Sequence, residues 1–219
     1  KGIGKTIAEK LISHGCKVAV LGRNFNDLKI FKSYFNLPDN IMILECDVSD
    51  YNQVEISIQK IYENWGKIDI LINNAGINRD KLLLRLSNED WDDVIRVNLK
   101  GVFNTSKIVS KYMLKKRYGK IINISSVIGQ IGNSGQSNYA ASKSGLEGFT
   151  RSLAVEFGSK NINVNAISPG YIKTQMTEKL DQKNINNMLN NIPLNKLGKT
   201  DDVANLVCFL SSKISNYIT

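Results

Sequence analysis

The chain has 219 residues, 42% of them hydrophobic and 22% charged, which is ordinary for one soluble domain able to bury a substantial core. Its longest apolar runs are strand-sized, too short to span a bilayer as a helix. The net charge of +9 points toward acidic partners, whether a phosphorylated cofactor, an acidic carrier protein or nucleic acid. The basic residues are scattered, however, and no nucleic-acid-binding motif is present, so most of the charge reads as solvated surface. Cys16, Cys46 and Cys208 lack metal-ligand spacing and read as small apolar residues in a reducing compartment. His14, the only histidine, reads as a surface residue. The expected setting is the cytoplasm, or the matrix of a plastid or mitochondrion if a leader has been removed.

Lys1-Gly2-Ile3-Gly4 opens a helix whose buried face is Ile7, Ala8, Leu11 and Ile12. This is the back half of a dinucleotide-binding turn, in which glycines let backbone approach a pyrophosphate at a helix N-terminus. Lys17 to Leu21 is a strand, followed by Gly22-Arg23-Asn24. A carboxylate there would hold the ribose 2′-hydroxyl of NAD, whereas an Arg accommodates the 2′-phosphate of NADP. Arg23 is present and no carboxylate precedes Asp27, so NADP is expected, with Lys1 adding to the phosphate site.

Ile41 to Leu44 is the next strand, and Asn52 to Trp65 a helix with Val54, Ile58 and Ile61 inward. A strand over Ile68 to Ile72 runs into Asn73-Asn74-Ala75-Gly76. Ser87-Asn-Glu-Asp90 is a capping-box pattern predicting a helix from Trp91, with Val94, Ile95, Leu99, Val102 and Phe103 inward and Asn98 within it. Lys120 to Ser125 is a buried strand, Tyr139 to about Gly158 a helix, and Asn161 to Ile167 the last strong strand. Pro169 and Gly170 set a turn at the sheet's C-terminal edge, where ligands bind in open α/β sheets. Gln175 to Leu197 reads as a mobile helix-and-loop cap over the substrate, and Asp201 to Leu210 as another helix.

The alternation predicts an α/β fold, a Rossmann-type doubly wound parallel sheet with helices on both faces, in one domain over 1–219. A strand and a first glycine are expected before Lys1. Without that central strand its two neighbours would stand about 10 Å apart, with nothing to pair with. The domain is thus expected to be truncated at both ends.

The chemistry concentrates between Ser126 and Lys143. Tyr139 and Lys143 are four apart and share one helical face, while Ser126 ends the preceding strand and a Gly-rich loop folds back between them. A free phenol titrates near ~10, and a nearby cation lowers that value. Lys143 is therefore expected to acidify Tyr139, with Tyr139 as proton donor to a carbonyl oxygen and Ser126 as the hydrogen-bond donor that holds it.

This arrangement, with Tyr139 thirteen positions after Ser126, resembles the catalytic pattern of the short-chain dehydrogenase/reductase family. Lys1-Gly-Ile-Gly4, Asn73-Asn-Ala-Gly76, Val97-Asn98-Leu99 and Pro169-Gly170 agree with it in order. The resemblance implies that Asp47 and Val48 border the adenine and that Asn74, Ala75 and Gly76 lie beside the ribose, which Lys143 also holds, next to Tyr139. It implies that Ile172 meets the nicotinamide amide through its backbone and that Thr174 meets the pyrophosphate. Asn98 is implied to perturb its helix so that a carbonyl holds a water linking Lys143 to solvent. The family also suggests a homotetramer built on the Trp91 and Tyr139 helices.

The finer pattern resembles reductases of 3-oxoacyl groups on acyl carrier protein, through Gly76-Ile-Asn-Arg-Asp80, Gly132 to Tyr139 and Asn216-Tyr-Ile-Thr219. It implies NADPH as reductant and carrier docking at Arg117 and Lys160, near the cleft. Lys107, Lys111 and Lys115 form a stripe that reads as a solvated face. Two other functions stay open at this stage: a reductase of free quinones, steroids or sugars, and a non-catalytic NADP-binding sensor. No metal site is expected.

Overall fold

A computed structural model of the chain describes residues 1–35, 38–174 and 189–219. Helix α1 (Gly2–Ser13) buries Ile7, Ala8, Leu11 and Ile12, the face its apolar spacing predicts. It is followed by β1 (Val18–Gly22), α2 (Phe25–Ser33), β2 (Ile41–Glu45) and α3 (Tyr51–Trp65). Asp50 caps α3 by accepting from the Asn52 and Gln53 N–H groups, and Gly66 ends it in the left-handed region. Next come β3 (Ile70–Asn73), α4 (Asn88–Ile95), a π-helical turn (Arg96–Lys100), α5 (Gly101–Lys116), β4 (Gly119–Ile124) and the short α6 (Ile128–Ile131). The described chain closes with α7 (Ser137–Gly158), β5 (Ile162–Ile167) and α8 (Thr200–Ser211).

Two expectations need correction. Helix α4 starts at Asn88 and not at Trp91, because Ser87 is itself the cap, accepting from the Asp90 N–H. Phe103 is not inward. Its neighbour Val102 is 4% exposed and Phe103 42%, since the buried face of α5 runs through Val102, Thr105, Ser106, Val109 and Met113. Phe103 instead meets Phe149 edge-on, with ring centroids 6.5 Å apart. The expected cap over 175–197 falls largely on 175–188, which lies outside the described residues.

All strand pairs are parallel, but the described strands form two sheets, β1–β2 and β3–β4–β5. A cleft of about 1130 Å³ separates β1 from β3, lined by Val18, Val20, Ile70 and Ile72 and opening toward Gly2 and Gly4.

Helices cover both faces. Alternation along β4 sends Ile122 and Ile124 to a core with Ile7, Leu11, Val203, Ala204 and Val207 from α1 and α8. Ile121 goes the other way, to Val54, Ile58, Ile108, Val109 and Met113 from α3 and α5. Cys46 is buried in that second core, and Cys16 and Cys208 pack at the edge of the first. His14 is exposed at the end of α1.

Candidate active site

Strand β4 is buried along its whole length, so the chain emerging from it is held firmly where Ser125 and Ser126 begin the turn. The turn is short. Ser126 Oγ accepts from the Ile128 N–H at 3.2 Å, which starts α6, and the chain doubles back into α7. The Ser126 hydroxyl also faces the Tyr139 phenol closely enough to favour its ionised form. One turn on, Lys143 is 4% exposed; its ammonium donates to the Ile124 carbonyl at 2.8 Å and lies 5.6 Å from the Tyr139 ring centre. Strand end, turn and helix thus bring the hydroxyl, phenol and ammonium together.

The electrostatics correct one expectation. Burial pushes the Tyr139 phenol above its ordinary value; the Ser126 hydroxyl opposes this and Asp80 adds to it. Lys143 does not acidify the phenol here, because its amine is turned to a backbone carbonyl and pays its own desolvation. Burial lowers Lys143 to about 8. The phenol is therefore kept protonated and ready to donate, and the amine titrates close to neutral pH.

Asn98 is fully buried at the centre of the π turn over Arg96–Lys100, an insertion that breaks the i→i+4 ladder as the resemblance implies. Its amide donates to the Ile77 carbonyl at 2.9 Å and Ser142 Oγ at 3.1 Å, and its oxygen accepts from the Ile77 N–H at 2.8 Å.

The dinucleotide site can be tested on the residues present. The first turn of α1 carries no acidic side chain, and Gly2 has φ +54°, which suits an anion near these backbone N–H groups. Thr174 lies beside it, its Cγ2 3.7 Å from where a Gly2 side chain would start. Asn74 covers Gly4 so closely that a Cβ there would lie 2.4 Å from its amide nitrogen. At Gly76 a Cβ would sit 3.4 Å from Asn98 Oδ1 and 3.7 Å from Lys143 Nζ, ordinary contact distances that put the Gly76 backbone beside that amine. These residues fit a dinucleotide.

Lys1, Gly2, Gly4, Arg23, Val48, Asn74 and Ala75 line the same cleft, with Ile3 between the two glycines. The Lys1 ammonium is held by Asp27 at 2.9 Å, so it does not stand free for a phosphate. Burial raises Asp47, but hydrogen bonds from Ser49 and the charges of Arg23 and Arg96 outweigh it and hold the carboxyl below its ordinary value. Pro169 accepts from the Val127 N–H at 3.0 Å, tying the Pro169-Gly170 turn to the Ser126 loop. Ile172 pairs with Gly198 in an isolated parallel bridge.

A sequence profile of the short chain dehydrogenases matches residues 1–185. The chain belongs to the short-chain dehydrogenase family. Such enzymes use a nicotinamide cofactor. Among relatives of this short-chain dehydrogenase, the 3-oxoacyl-[acyl-carrier-protein] reductase FabG of Thermotoga maritima is 45% identical over 219 residues, covering 100% of this chain and 89% of its own. The FabG proteins of Escherichia coli and of Buchnera aphidicola from Acyrthosiphon pisum are 43% and 47% identical, with the same coverage.

Arg117 and Lys160 do not lie near the cleft of their own chain. Both are exposed and close together, Arg117 donating to the Ser159 carbonyl at 3.1 Å. They precede β4 and β5, whereas Ser126 and Pro169 follow them, so a parallel sheet puts the two sets at opposite edges, about 20 Å apart by strand length. Two lysines of the α5 stripe are partnered: Lys111 pairs with Glu55, and Lys107 lies over the Tyr51 and Phe103 rings.

Several residues of this short-chain dehydrogenase site escaped the sequence reading. Asn138 is fully buried and donates to the Arg79 carbonyl at 3.1 Å, fixing the start of α7 just before Tyr139. Ser142 bridges Asn98 and the Tyr139 carbonyl. The signal available was a run of small polar residues on the helix face shared by Tyr139 and Lys143.

Proposed function

We propose that this enzyme reduces 3-oxoacyl groups carried on acyl carrier protein to 3-hydroxyacyl groups, using NADPH, as part of fatty acid elongation. The observation that carries the reading is the convergence of Ser126, a protonated Tyr139 and Lys143 beside the bare Gly76 backbone. The FabG names of full-length relatives support the substrate. Arg23, with no carboxylate beside it before Asp27, supports the 2′-phosphate of NADPH over NADH.

A nicotinamide held in this cleft supplies a hydride to a carbonyl carbon. The chain's own residues handle the oxygen. Ser126 donates a hydrogen bond to it, Tyr139 gives up its phenolic proton to form the alcohol, and Lys143 would hold the ribose. Asn98, at the π turn, supports proton resupply. Gly2, Ile3, Gly4 and Thr174 would hold the pyrophosphate, Asp47 and Val48 the adenine, Asn74, Ala75 and Gly76 the ribose, and Pro169, Gly170 and Ile172 the nicotinamide. Carrier docking at Arg117 and Lys160 would serve the cleft of another copy, since they lie far from their own. That agrees with the homotetramer the family suggests. Free cysteines suit a reducing setting, the cytoplasm or an organelle matrix. Among the described residues no helix is long and apolar enough to cross a membrane.

The test is reduction of acetoacetyl-carrier protein with NADPH and then NADH, beside a free ketone panel. Preference for NADPH and a higher kcat/KM on the carrier substrate are expected, and a free ketone reduced better would replace the substrate. Tyr139→Phe should lower kcat by at least about 10³-fold while nucleotide still binds.

A further inference from the structure

Glu147 follows Lys143 by one turn of α7, and its Oε1 collects three donors. Ser125 Oγ lies at 3.1 Å, Gln130 Nε2 at 3.2 Å and Ser168 Oγ at 2.7 Å. The donors come from three separate stretches. Ser125 is the residue before Ser126, Gln130 lies in α6 just after it, and Ser168 precedes Pro169-Gly170. They also hold one another, since Gln130 Nε2 lies 3.4 Å from Ser168 Oγ. The Ser125 hydroxyl shares its one proton between Glu147 and the Lys143 carbonyl at 3.3 Å, and so spans two turns of the helix that carries Tyr139 and Lys143.

Three donors on one oxygen suit a carboxylate better than an amide, whose single neutral oxygen offers two lone pairs and weaker bonds. The backbone does a different job in this loop. The Ser125 N–H donates to Ile167 and the Val127 N–H to Pro169, which fixes the loop to the end of β5. Glu147 fixes the same loop to α7. Ser126 sits between these two attachments, on the segment whose position relative to Tyr139 decides whether both can reach one substrate oxygen.

We propose that Glu147 is a positioning residue for the reduction. Through Ser125, Gln130 and Ser168 it sets the Ser126 hydroxyl against the Tyr139 phenol, acting on neither substrate nor nucleotide. The inference rests on the catalytic reading of Ser126 given above.

The experiment compares Glu147→Leu, Glu147→Gln, Ser126→Ala and the Glu147→Leu/Ser126→Ala double variant. It measures kcat and KM with acetoacetyl-carrier protein, NADPH affinity by fluorescence, and melting temperature. Glu147→Leu is expected to lower kcat by about 10-fold, with KM and NADPH affinity changed by less than about 2-fold, because a displaced hydroxyl costs orientation and not binding. Glu147→Gln, which keeps an acceptor, should recover most of the loss. In the Ser126→Ala background Glu147→Leu should cost less than about 2-fold more, since a missing hydroxyl cannot be misplaced.

An equal loss in both backgrounds, or no loss, overturns the proposal. Should Glu147→Leu fail to fold, Ser125→Ala takes its place, and full activity there is equally fatal. If Ser126→Ala alone keeps the parent kcat, the catalytic reading falls and this inference with it. A low Ser126→Ala beside an unchanged Glu147→Leu removes the inference alone.

Discussion

Lys143 has to carry charge in its proposed role, yet the fold buries it with a backbone carbonyl as its partner and lowers it to about 8. Below that value folded and unfolded chains both hold the proton, and the folded state bears the full cost of burying it. Between about 8 and the unperturbed 10.5 only the unfolded chain binds the proton, so this group makes stability rise with pH. Tyr139 acts the other way: its raised folded value makes stability fall once pH passes 10, where the unfolded phenol ionises. Lys143→Met should therefore be most stabilising, relative to the parent, near neutral pH. Urea unfolding without nucleotide at about pH 7 and about pH 9.5 should show that advantage shrink by about 2 kcal/mol. A pH-independent difference would mean the amine is not desolvated as the structure has it.

The contact that decides the site at the scale of elements is that of α6 with α7. Gly129 lies against the catalytic helix so closely that a Cβ would meet Lys143 Cβ at 2.9 Å and the Lys143 carbonyl carbon and Ser144 nitrogen at 3.0 Å. Two of those atoms are backbone and cannot swing aside, so a side chain at 129 has to lift the Ser126 loop off α7. Gly129→Ala is expected to lower kcat by about 10- to 100-fold with a stability loss of about 1–3 kcal/mol. Gly148→Ala is the control on the same helix; its Cβ meets Arg151 Nη2 at 3.8 Å, and kcat and melting temperature should stay at parent values. Equal behaviour of the two variants would show that the close packing of α6 does not matter. The same elements share a buried network in which Asn73 donates to Asn123 at 2.8 Å and Asn123 to Thr150 at 2.8 Å, locking β3, β4 and α7 together.

For the whole molecule, the outer faces of α4, α5 and α7 carry apolar side chains that a single chain leaves in water. Trp91 is 39% exposed, Phe103 42% and Val155 86%. Such a face suits another copy of the chain, the arrangement proposed with the homotetramer. Val155→Asp should yield a smaller species than the parent in analytical ultracentrifugation, with secondary structure retained. If the variant sediments like the parent, copies meet through another surface. The carrier docking proposed above belongs to this scale as well, because Arg117 and Lys160 stand at the sheet edge opposite their own Ser126.

What the sequence determined by itself was whatever follows from local spacing. The buried stripes of α1 and α3 are Ile7, Ala8, Leu11, Ile12 and Val54, Ile58, Ile61, because helical period alone selects them. The strand-turn-helix run from Lys120 to Gly158 was legible for the same reason, and with it the approach of Ser126 to Tyr139 and Lys143. Quantities set by packing between distant segments were not legible. Phe103 turned outward because the helix-to-sheet contact chose a neighbouring stripe. The Tyr139 phenol rose instead of falling, because the depth of the pocket outweighed a cation that a backbone carbonyl had engaged. The three donors that meet on Glu147 come from positions 17 to 22 residues away, a distance over which only the folded sheet and helix bring groups together. Spacing is a property of a chain, whereas burial and partner choice are properties of a packed volume, and tertiary structure alone decided those.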